Sequence, residues 1–319
     1  MTILDVIRRS TDFLSERGVE SPRLQVELLL AHVLKLPRLK LYLQFDRVLT
    51  EGELAPLREL VKRRGQREPL QHLTGTAAFL GHEMKVTRDV LVPRPETELL
   101  AQLAVAKLAE LQRSAGVPPA SANPTAAEML DGNQNTGGTP ALRCLDFGTG
   151  SGCLAIAVAA ACQATEVHAL DKSPAALAIA RENAVSNGVA ARITFHEGDG
   201  FVALEMSPKS EIQGSKFDVI VTNPPYIPSA EIVTLDSEVR DFDPRLALDG
   251  GADGLDCYRM LADQARAWLQ PGGWLLAEFG DGQAETLTML FTAQGWLLES
   301  VEKDLSGRDR VLIVRRPPS

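Results

Sequence analysis

From Ala141 onward the chain repeats one pattern: a short run of mainly strand-forming, apolar residues stops at glycine, aspartate or asparagine, and most such runs are followed by a stretch with helical character. ALRCLDF leads into Gly148-Thr149-Gly150-Ser151-Gly152 and then CLAIAVAAAC, while EVHALD ends at Asp171 and is followed by SPAALAIARENAVSNG. ARITFHEGD ends at Asp199, FDVIVTN at Asn223, and GWLLAEFG near Gly280. Strands that are apolar on both faces must be covered on both faces, and crossover helices supply that cover when the strands run parallel. The last two runs, WLLESVE and RVLIVRR, have no helical spacer between them and so are expected to pair antiparallel at the sheet edge. The expected fold class is α/β, with a mostly parallel seven-stranded sheet whose last strand is antiparallel.

A different pattern precedes this unit. Residues 1–75 read as a small helical domain: Ile3, Ile7 and Phe13/Leu14 fall near a helical period, and Ser21-Pro22 opens a second helix carrying Leu24, Leu28 and Ala31. Thr50 and Glu53 have capping-box spacing ahead of Leu54, Leu57 and Val61, in a helix that ends in Lys62-Arg63-Arg64-Gly65, with Gly65 at the C′ position and the three basic residues read as a solvated helix end in preference to a partner contact. Residues 76–93 follow as a hairpin linker, because Gly81 separates two short apolar runs in AAFLGHEMKV. The third unit spans 94–319 and begins with a helix after Pro95, whose Glu96 and Glu98 suit the positive end of a helix dipole. Inside it, residues 113–140 are rich in Ala, Pro, Gly, Ser, Thr and Asn and are read as a flexible insertion.

Composition removes several function classes. No run of about 18 apolar residues is present and the N-terminus lacks the order of a signal peptide, so a cytoplasmic protein without membrane attachment is expected. The four cysteines show no C-x-x-C spacing and the histidines are scattered, so neither a disulfide framework nor a metal site is expected. Residues 1–75 hold 13 Lys and Arg against 10 Asp and Glu, a net +3, which leaves −12 of the chain's total of −9 to the remainder. An acidic main domain argues against a stable grip on nucleic acid, which needs a basic footprint. A protein partner is compatible with it.

The loop Gly148-Thr149-Gly150-Ser151-Gly152 sits where an open α/β sheet binds ligands, at the carboxyl end of its first strand. Asp171, about 20 residues on, closes the next strand, where a carboxylate can take both ribose hydroxyls. A dinucleotide fingerprint is not met, because its third glycine position is Cys153. The G-x-G-x-G spacing, with Asp199 closing the third strand, resembles the S-adenosylmethionine-dependent methyltransferases. In that family Asp171 holds the ribose, and the residues around Asp199 and Gly200 hold the adenine. The cofactor carries no phosphate, and the loop carries no basic residue.

Asn223-Pro224-Pro225-Tyr226 resembles the motif of methyltransferases that modify a planar nitrogen, either the glutamine amide or an exocyclic amino group of a base. Such a nitrogen is a poor nucleophile, because its lone pair is delocalised, so the site must orient it. The Asn223 side-chain oxygen and the Pro224 carbonyl can accept the two N–H groups, the prolines fix the direction of the turn, and Tyr226 can lie against the flat face. The flanking segments favour glutamine. VPRPETE (Val92 to Glu98), LDFGTGSG, NPPYI, EVRDFDPRLALDGGADGLDCYR, GGWLLAEFGDGQ and DLSGRDRV together resemble the protein-(glutamine-N5) methyltransferases of peptide chain release factors across almost the whole chain.

That resemblance implies a Rossmann-like methyltransferase domain with a small helical N-terminal domain for substrate recognition. It also implies S-adenosyl-L-methionine as cofactor, class 1 release factors as partner substrates and the glutamine of their Gly-Gly-Gln motif as acceptor. An adenine- or guanine-directed N-methyltransferase is the alternative, and a monomer is expected. Three features depart from the family pattern: Asp243 where Glu is usual before Pro, Gly200 where a larger residue is common, and the insertion 113–140.

Overall fold

The computed structural model describes residues 1–114, 141–205 and 216–318. At the N-terminus, helices Ile3–Ser15, Pro22–Leu34 and Glu51–Gly65 pack around Ile3, Ile7, Leu14, Leu29, Leu30 and Leu57. The capping box read at Thr50 and Glu53 is present, with the Thr50 N–H donating to the Glu53 carboxylate at 2.9 Å. Two details differ from the sequence reading. Helix Pro22–Leu34 buries Val26, Leu29 and Leu30, while Leu24 is 41% exposed; its run of apolar residues supports two overlapping stripes, and periodicity could not choose between them. Gly65 is the last helical residue instead of a C′ residue, and a Cβ there would stand 2.7 Å from the Phe13 and Arg17 side chains, so this glycine lets two helices approach.

Strands β1 (Thr76–Phe79) and β2 (His82–Lys85) form the expected hairpin. Its two turn residues, Leu80 (φ 47°) and Gly81 (φ 82°), are both left-handed, as a two-residue turn that follows strand twist requires. Leucine pays a steric cost there, and the Leu80 N–H donates to the Glu98 carboxylate at 2.9 Å, which holds the turn against helix Pro95–Ser114. Across the hairpin, Asn183 of helix Pro174–Ser186 accepts from the Lys85 N–H at 2.7 Å. The same side chain donates to the Lys85 and Ser151 carbonyls, at 3.0 and 2.8 Å. One buried carboxamide therefore joins the hairpin to the glycine loop.

The main sheet contains β3 (Leu142–Phe147), β4 (Thr165–Asp171), β5 (Ile193–Glu197), β6 (Phe217–Thr222), β7 (Leu269–Glu278), β8 (Leu297–Lys303) and β9 (Asp309–Arg315) in the order β5-β4-β3-β6-β7-β9-β8. Pairings from β5 to β7 are parallel, and β9 runs antiparallel between β7 and β8. Helices Pro95–Ser114 and Cys153–Ala161 build one core layer, and helices Asp256–Trp268 and Ala284–Ala293 build the other. Of the stretch read as an insertion, Arg113 and Ser114 close helix Pro95–Ser114, and residues 115–140 lie outside the described residues. No helix among the described residues is long and apolar enough to cross a membrane.

This strand order fixes the site. The chain builds outward from β3 to β5 and then returns to lay β6 on the other side of β3, so a switch point opens between β3 and β6 at their carboxyl ends. Phe147 pairs with Thr222 in register, and so Gly148 and Asn223 leave the sheet side by side.

Candidate active site

A cavity of about 680 Å³ lies at that switch point, within the usual range for a small-ligand site. One wall is the glycine loop, where Gly148, Gly150 and Gly152 have φ of 74°, 53° and 84°, conformations that disfavour any side chain. A Cβ at Gly148 or Gly150 would meet nothing within 4 Å, whereas at Gly152 it would meet Ala180 of the neighbouring helix at 3.1 Å. The first two glycines thus supply backbone shape facing the cavity, and the third supplies helix packing. Thr149 and Ser151 are buried. The Thr149 hydroxyl donates to the Asp146 carboxylate at 2.6 Å, and the Ala155 N–H reaches the same oxygen at 3.0 Å. Asp146 is fully buried with its other oxygen unpartnered among the described residues, and burial pushes its carboxyl up to about 7 against those two hydrogen bonds.

The two acids predicted to close strands are treated differently. Asp171 accepts from the Gly150 N–H at 2.8 Å and from the Ser173 N–H at 2.9 Å, so one carboxylate shapes the glycine loop and the start of helix Pro174–Ser186. Strand β5 ends at Glu197, two residues before the expected stop, and the Asp199 side chain is 85% exposed, 4.0 Å from the Lys172 ammonium. Asp199 and Gly200 still line the cavity. Two cavity-wall thiols, Cys153 and Cys257, are pushed up to about 12 by burial.

The opposite wall is the turn after β6. Asn223, Pro224 and Pro225 line the cavity, and the Asn223 Nδ2 donates to the buried Thr97 hydroxyl at 3.0 Å. Its Oδ1 has no donor among the described residues, and neither has the Pro224 carbonyl. Behind the pair sits Glu278, at the end of β7 and only 1% exposed. Burial pushes the Glu278 carboxyl up to about 7; Thr97 and Arg310 oppose that rise, Glu96 adds to it, and Asn223 opposes it. Tyr226 does not line the cavity: its ring lies against Gly280, 3.0 Å from where a Cβ would stand, and its carbonyl accepts from Gln283 at 3.0 Å. In this arrangement the phenol backs the turn, and burial pushes it up to about 12.

The segment after the turn forms the rim, through Pro244, Leu246, Ala247 and Asp249 to Gly251. It is tied to the turn by backbone bonds, Ile227 N–H to the Leu248 carbonyl at 3.0 Å and Gly250 N–H to the Ile227 carbonyl at 2.9 Å. Arg64, Arg67 and Arg94 reach it from earlier in the chain as ion pairs. Arg94 pairs with the buried Asp243, whose carboxyl is raised by burial against the pull of that guanidinium. Arg64, at the end of helix Glu51–Gly65, is 1% exposed and bonds Glu238 at 2.7 Å. The sequence favoured a solvated helix end at Arg64, and the structure buries it. Thr97, Asp146, Asn183 and Glu278 were not singled out by sequence reasoning. For Glu278 a signal existed, since an acid closing an otherwise apolar strand demands a buried partner.

Comparison with known proteins assigns the family. A PrmC N-terminal domain model matches residues 5–75, and a methyltransferase small domain model matches residues 128–236. Release factor glutamine methyltransferase from Geobacter sulfurreducens is 41% identical over 98% of this chain and 95% of its own length. The chain belongs to the release factor glutamine methyltransferases. Another member, from Rhodospirillum rubrum, is 39% identical over 94% of this chain and 80% of its own length. The crystal structure of a release factor-specific protein-(glutamine-N5) methyltransferase from Alicyclobacillus acidocaldarius is 26% identical, covers 74% of this chain and 100% of its own, and superposes with a TM-score of 0.38. Membership in this methyltransferase family makes S-adenosylmethionine the cofactor, and the cavity suits it: its volume is adequate, its glycine wall is open and that wall carries no base.

Proposed function

We propose that this chain transfers a methyl group from S-adenosyl-L-methionine to N5 of the glutamine in the Gly-Gly-Gln motif of class 1 peptide chain release factors. The observation that carries this reading is the orientation of Asn223, whose NH2 end is committed to Thr97 while Oδ1 and the carbonyl of the next cavity-lining residue, Pro224, have no donor among the described residues. Two acceptors on a proline-stiffened turn match the two donors of a carboxamide NH2 and hold its face toward the glycine loop. The cofactor, when bound, supplies an electrophilic methyl group. Gly148 to Ser151 would cradle its amino acid and ribose ends, with Gly152 packing the loop against Ala180 behind them, Asp171 would accept from the ribose, and the Asp199-Gly200 turn would border the adenine. Positioning of this kind contributes up to roughly 7–11 kcal/mol to a two-substrate transfer.

The helical region 1–75 is assigned to recognition of the release factor, 76–93 to the linker and 94–319 to the catalytic domain. The protein is expected to act as a cytoplasmic monomer without stable nucleic acid binding. The test is to incubate the full chain with labelled methyl donor and, separately, purified release factor or total RNA, and to map the label by mass spectrometry. Label on the Gly-Gly-Gln glutamine is expected. Label on RNA alone would overturn the proposal in favour of a base-directed enzyme, and label on neither would leave a cofactor-binding protein without turnover.

A further inference from the structure

Little apolar packing holds the cavity rim in place. Between Pro228 and Gly251 the buried apolar side chains are Ile232 and Leu248, and the regular structure is three short turns, Ile232–Thr234, Ser237–Arg240 and Arg245–Ala247. A segment with so few buried contacts opens readily unless other elements fix it. Arg94 ties it from the catalytic domain, through the buried Asp243. The helical region ties it as well: Glu238 Oε1 accepts from Arg64 at 2.7 Å and stands 2.9 Å from the Arg67 guanidinium. Among the described residues neither arginine has a second acid partner. Both arginines are themselves fixed. Arg64 is 1% exposed, and its Nε and Nη1 donate to the Gln25 side chain and to the Glu68 carbonyl. Arg67 follows Gln66, the C-cap of helix Glu51–Gly65, with a left-handed φ of 69°, where glycine is the usual residue. A bulky residue kept in that strained conformation marks a place where its side chain is needed. Here that side chain reaches the Gly18 carbonyl and Glu238.

We infer that Glu238 is a positioning residue, through which Arg64 and Arg67 of the helical region hold the rim in place for methyl transfer. From Glu238 the hold passes along helix Ser237–Arg240 to the Val239 carbonyl, which accepts from the Asp243 N–H at 3.0 Å. The residues that follow, Pro244, Leu246 and Ala247, line the cavity. Leu248 and Gly250 then bond Ile227, directly after the turn that carries Asn223. A misplacement of about 1 Å at a transfer site can cost about 10²-fold in rate, so a contact that never touches the substrate can govern turnover. The helical region thereby acts on the reaction itself, beyond recognition of the partner. The inference rests on the glutamine N-methylation proposed above.

The test is a double-mutant cycle of Arg67→Gly and Glu238→Ala in the full chain with cofactor, read by single-turnover methylation of release factor, by KM and by amide hydrogen exchange. Arg67→Gly breaks half of the clasp while placing glycine at a left-handed position, so its melting temperature is expected to stay within about 3 °C of the wild type. Its rate at saturating release factor is expected to fall about fivefold, with KM changed less than about twofold. Glu238→Ala is expected to lose about tenfold, and the double variant no more than that, because both substitutions remove the same contact. Arg67→Lys is expected to recover most of the rate. Exchange at the Asp243 and Gly250 amides is expected to quicken in Arg67→Gly while helix Pro22–Leu34 keeps its protection. Glu238→Ala uncovers the buried Arg64, so Arg67→Gly alone decides the matter if the former fails to fold. A wild-type rate in Arg67→Gly, a loss confined to KM, losses that multiply in the double variant, or rim amides that exchange as in the wild type overturns the inference. Failure of the wild-type protein to label release factor would instead refute the proposed function, and faster rim exchange in Arg67→Gly would still report the clasp.

Discussion

The two walls of the cavity are held in shape by different means. On the glycine side the contacts come from nearer in the chain: three left-handed glycines within five residues, Thr149 on Asp146, the Asp171 carboxylate gathering the Gly150 and Ser173 N–H groups across 21 and 2 residues, and Asn183 on the Ser151 carbonyl across 32. On the turn side they arrive from afar, because Asn223 is fixed by Thr97, 126 residues earlier, and the rim by Arg64, 174 residues before Glu238. A backbone-built wall tolerates change in the rest of the molecule. A wall built by distant side chains can be altered by substitutions that never touch the substrate.

The largest expected effect tests the turn. Asn223→Ala should lower kcat by about 10²–10³-fold, the cost of removing one preorganised polar group from a transition state, with cofactor affinity unchanged in a calorimetric titration. A proportional loss of cofactor affinity would mean that the two walls are not separable.

The same contrast explains what could be read in advance. The glycine loop, the parallel sheet and the Thr50–Glu53 capping box were legible, because each is encoded by residues a few positions apart. Thr97 stood in view within VPRPETE, but as a helix-start residue; its contact to Asn223 depends on helix Pro95–Ser114 packing against β6 and β7. Arg64 was assigned to a solvated helix end for a similar reason, since nothing near it in the sequence announces Glu238. Tyr226 was assigned to the cavity from its place in the motif, whereas Gly280, which gives its ring a place to lie, comes from another strand end. Asp199 was taken as a strand terminus, but Gly198, with φ of 150°, carries the chain out of the sheet one residue earlier.

Within the glycine wall, Gly152→Ala should be worse than Gly150→Ala. Both force a side chain into a left-handed conformation at about 1–2 kcal/mol, but only the first also drives a methyl into Ala180, adding about 1–3 kcal/mol of overpacking. Thermal melts of the two variants measure the difference, and equal losses would show that the Ala180 contact relaxes freely.

Asp171→Ala comes next. It removes the acceptor for two backbone N–H groups and should weaken cofactor binding by about 10–100-fold, using about 1.5–3 kcal/mol for hydrogen bonds to a charged group. Asp199→Ala, at an exposed position, should change affinity severalfold at most, and calorimetry on both variants would expose an error in ranking these acids.

The smallest expected effect is on stability. Glu238→Gln keeps a hydrogen-bond acceptor for Arg64 but removes the charge from a partly exposed partner, so the loss should be about 1 kcal/mol, read from denaturant midpoints. Changes in the pH dependence of stability should follow Asp146 and Glu278. Both carboxyls are raised to about 7 in the folded chain, so the folded state holds their protons more tightly than the unfolded state does. The stability they contribute is full below about pH 4 and is lost as pH rises toward 7. The melting temperature of Asp146→Asn should accordingly fall less steeply over that window than that of the wild type.

Cys153 and Cys257, in the cavity wall, bear on the fidelity of the enzyme. A thiolate is a far better nucleophile than an amide, and a methyl donor reactive enough for the second is open to attack by the first. With burial pushing both thiols up to about 12, both sulfurs keep their protons at neutral pH. By denying these two sulfurs their charge, the apolar wall lets the enzyme keep them next to an alkylating reagent without becoming its own substrate.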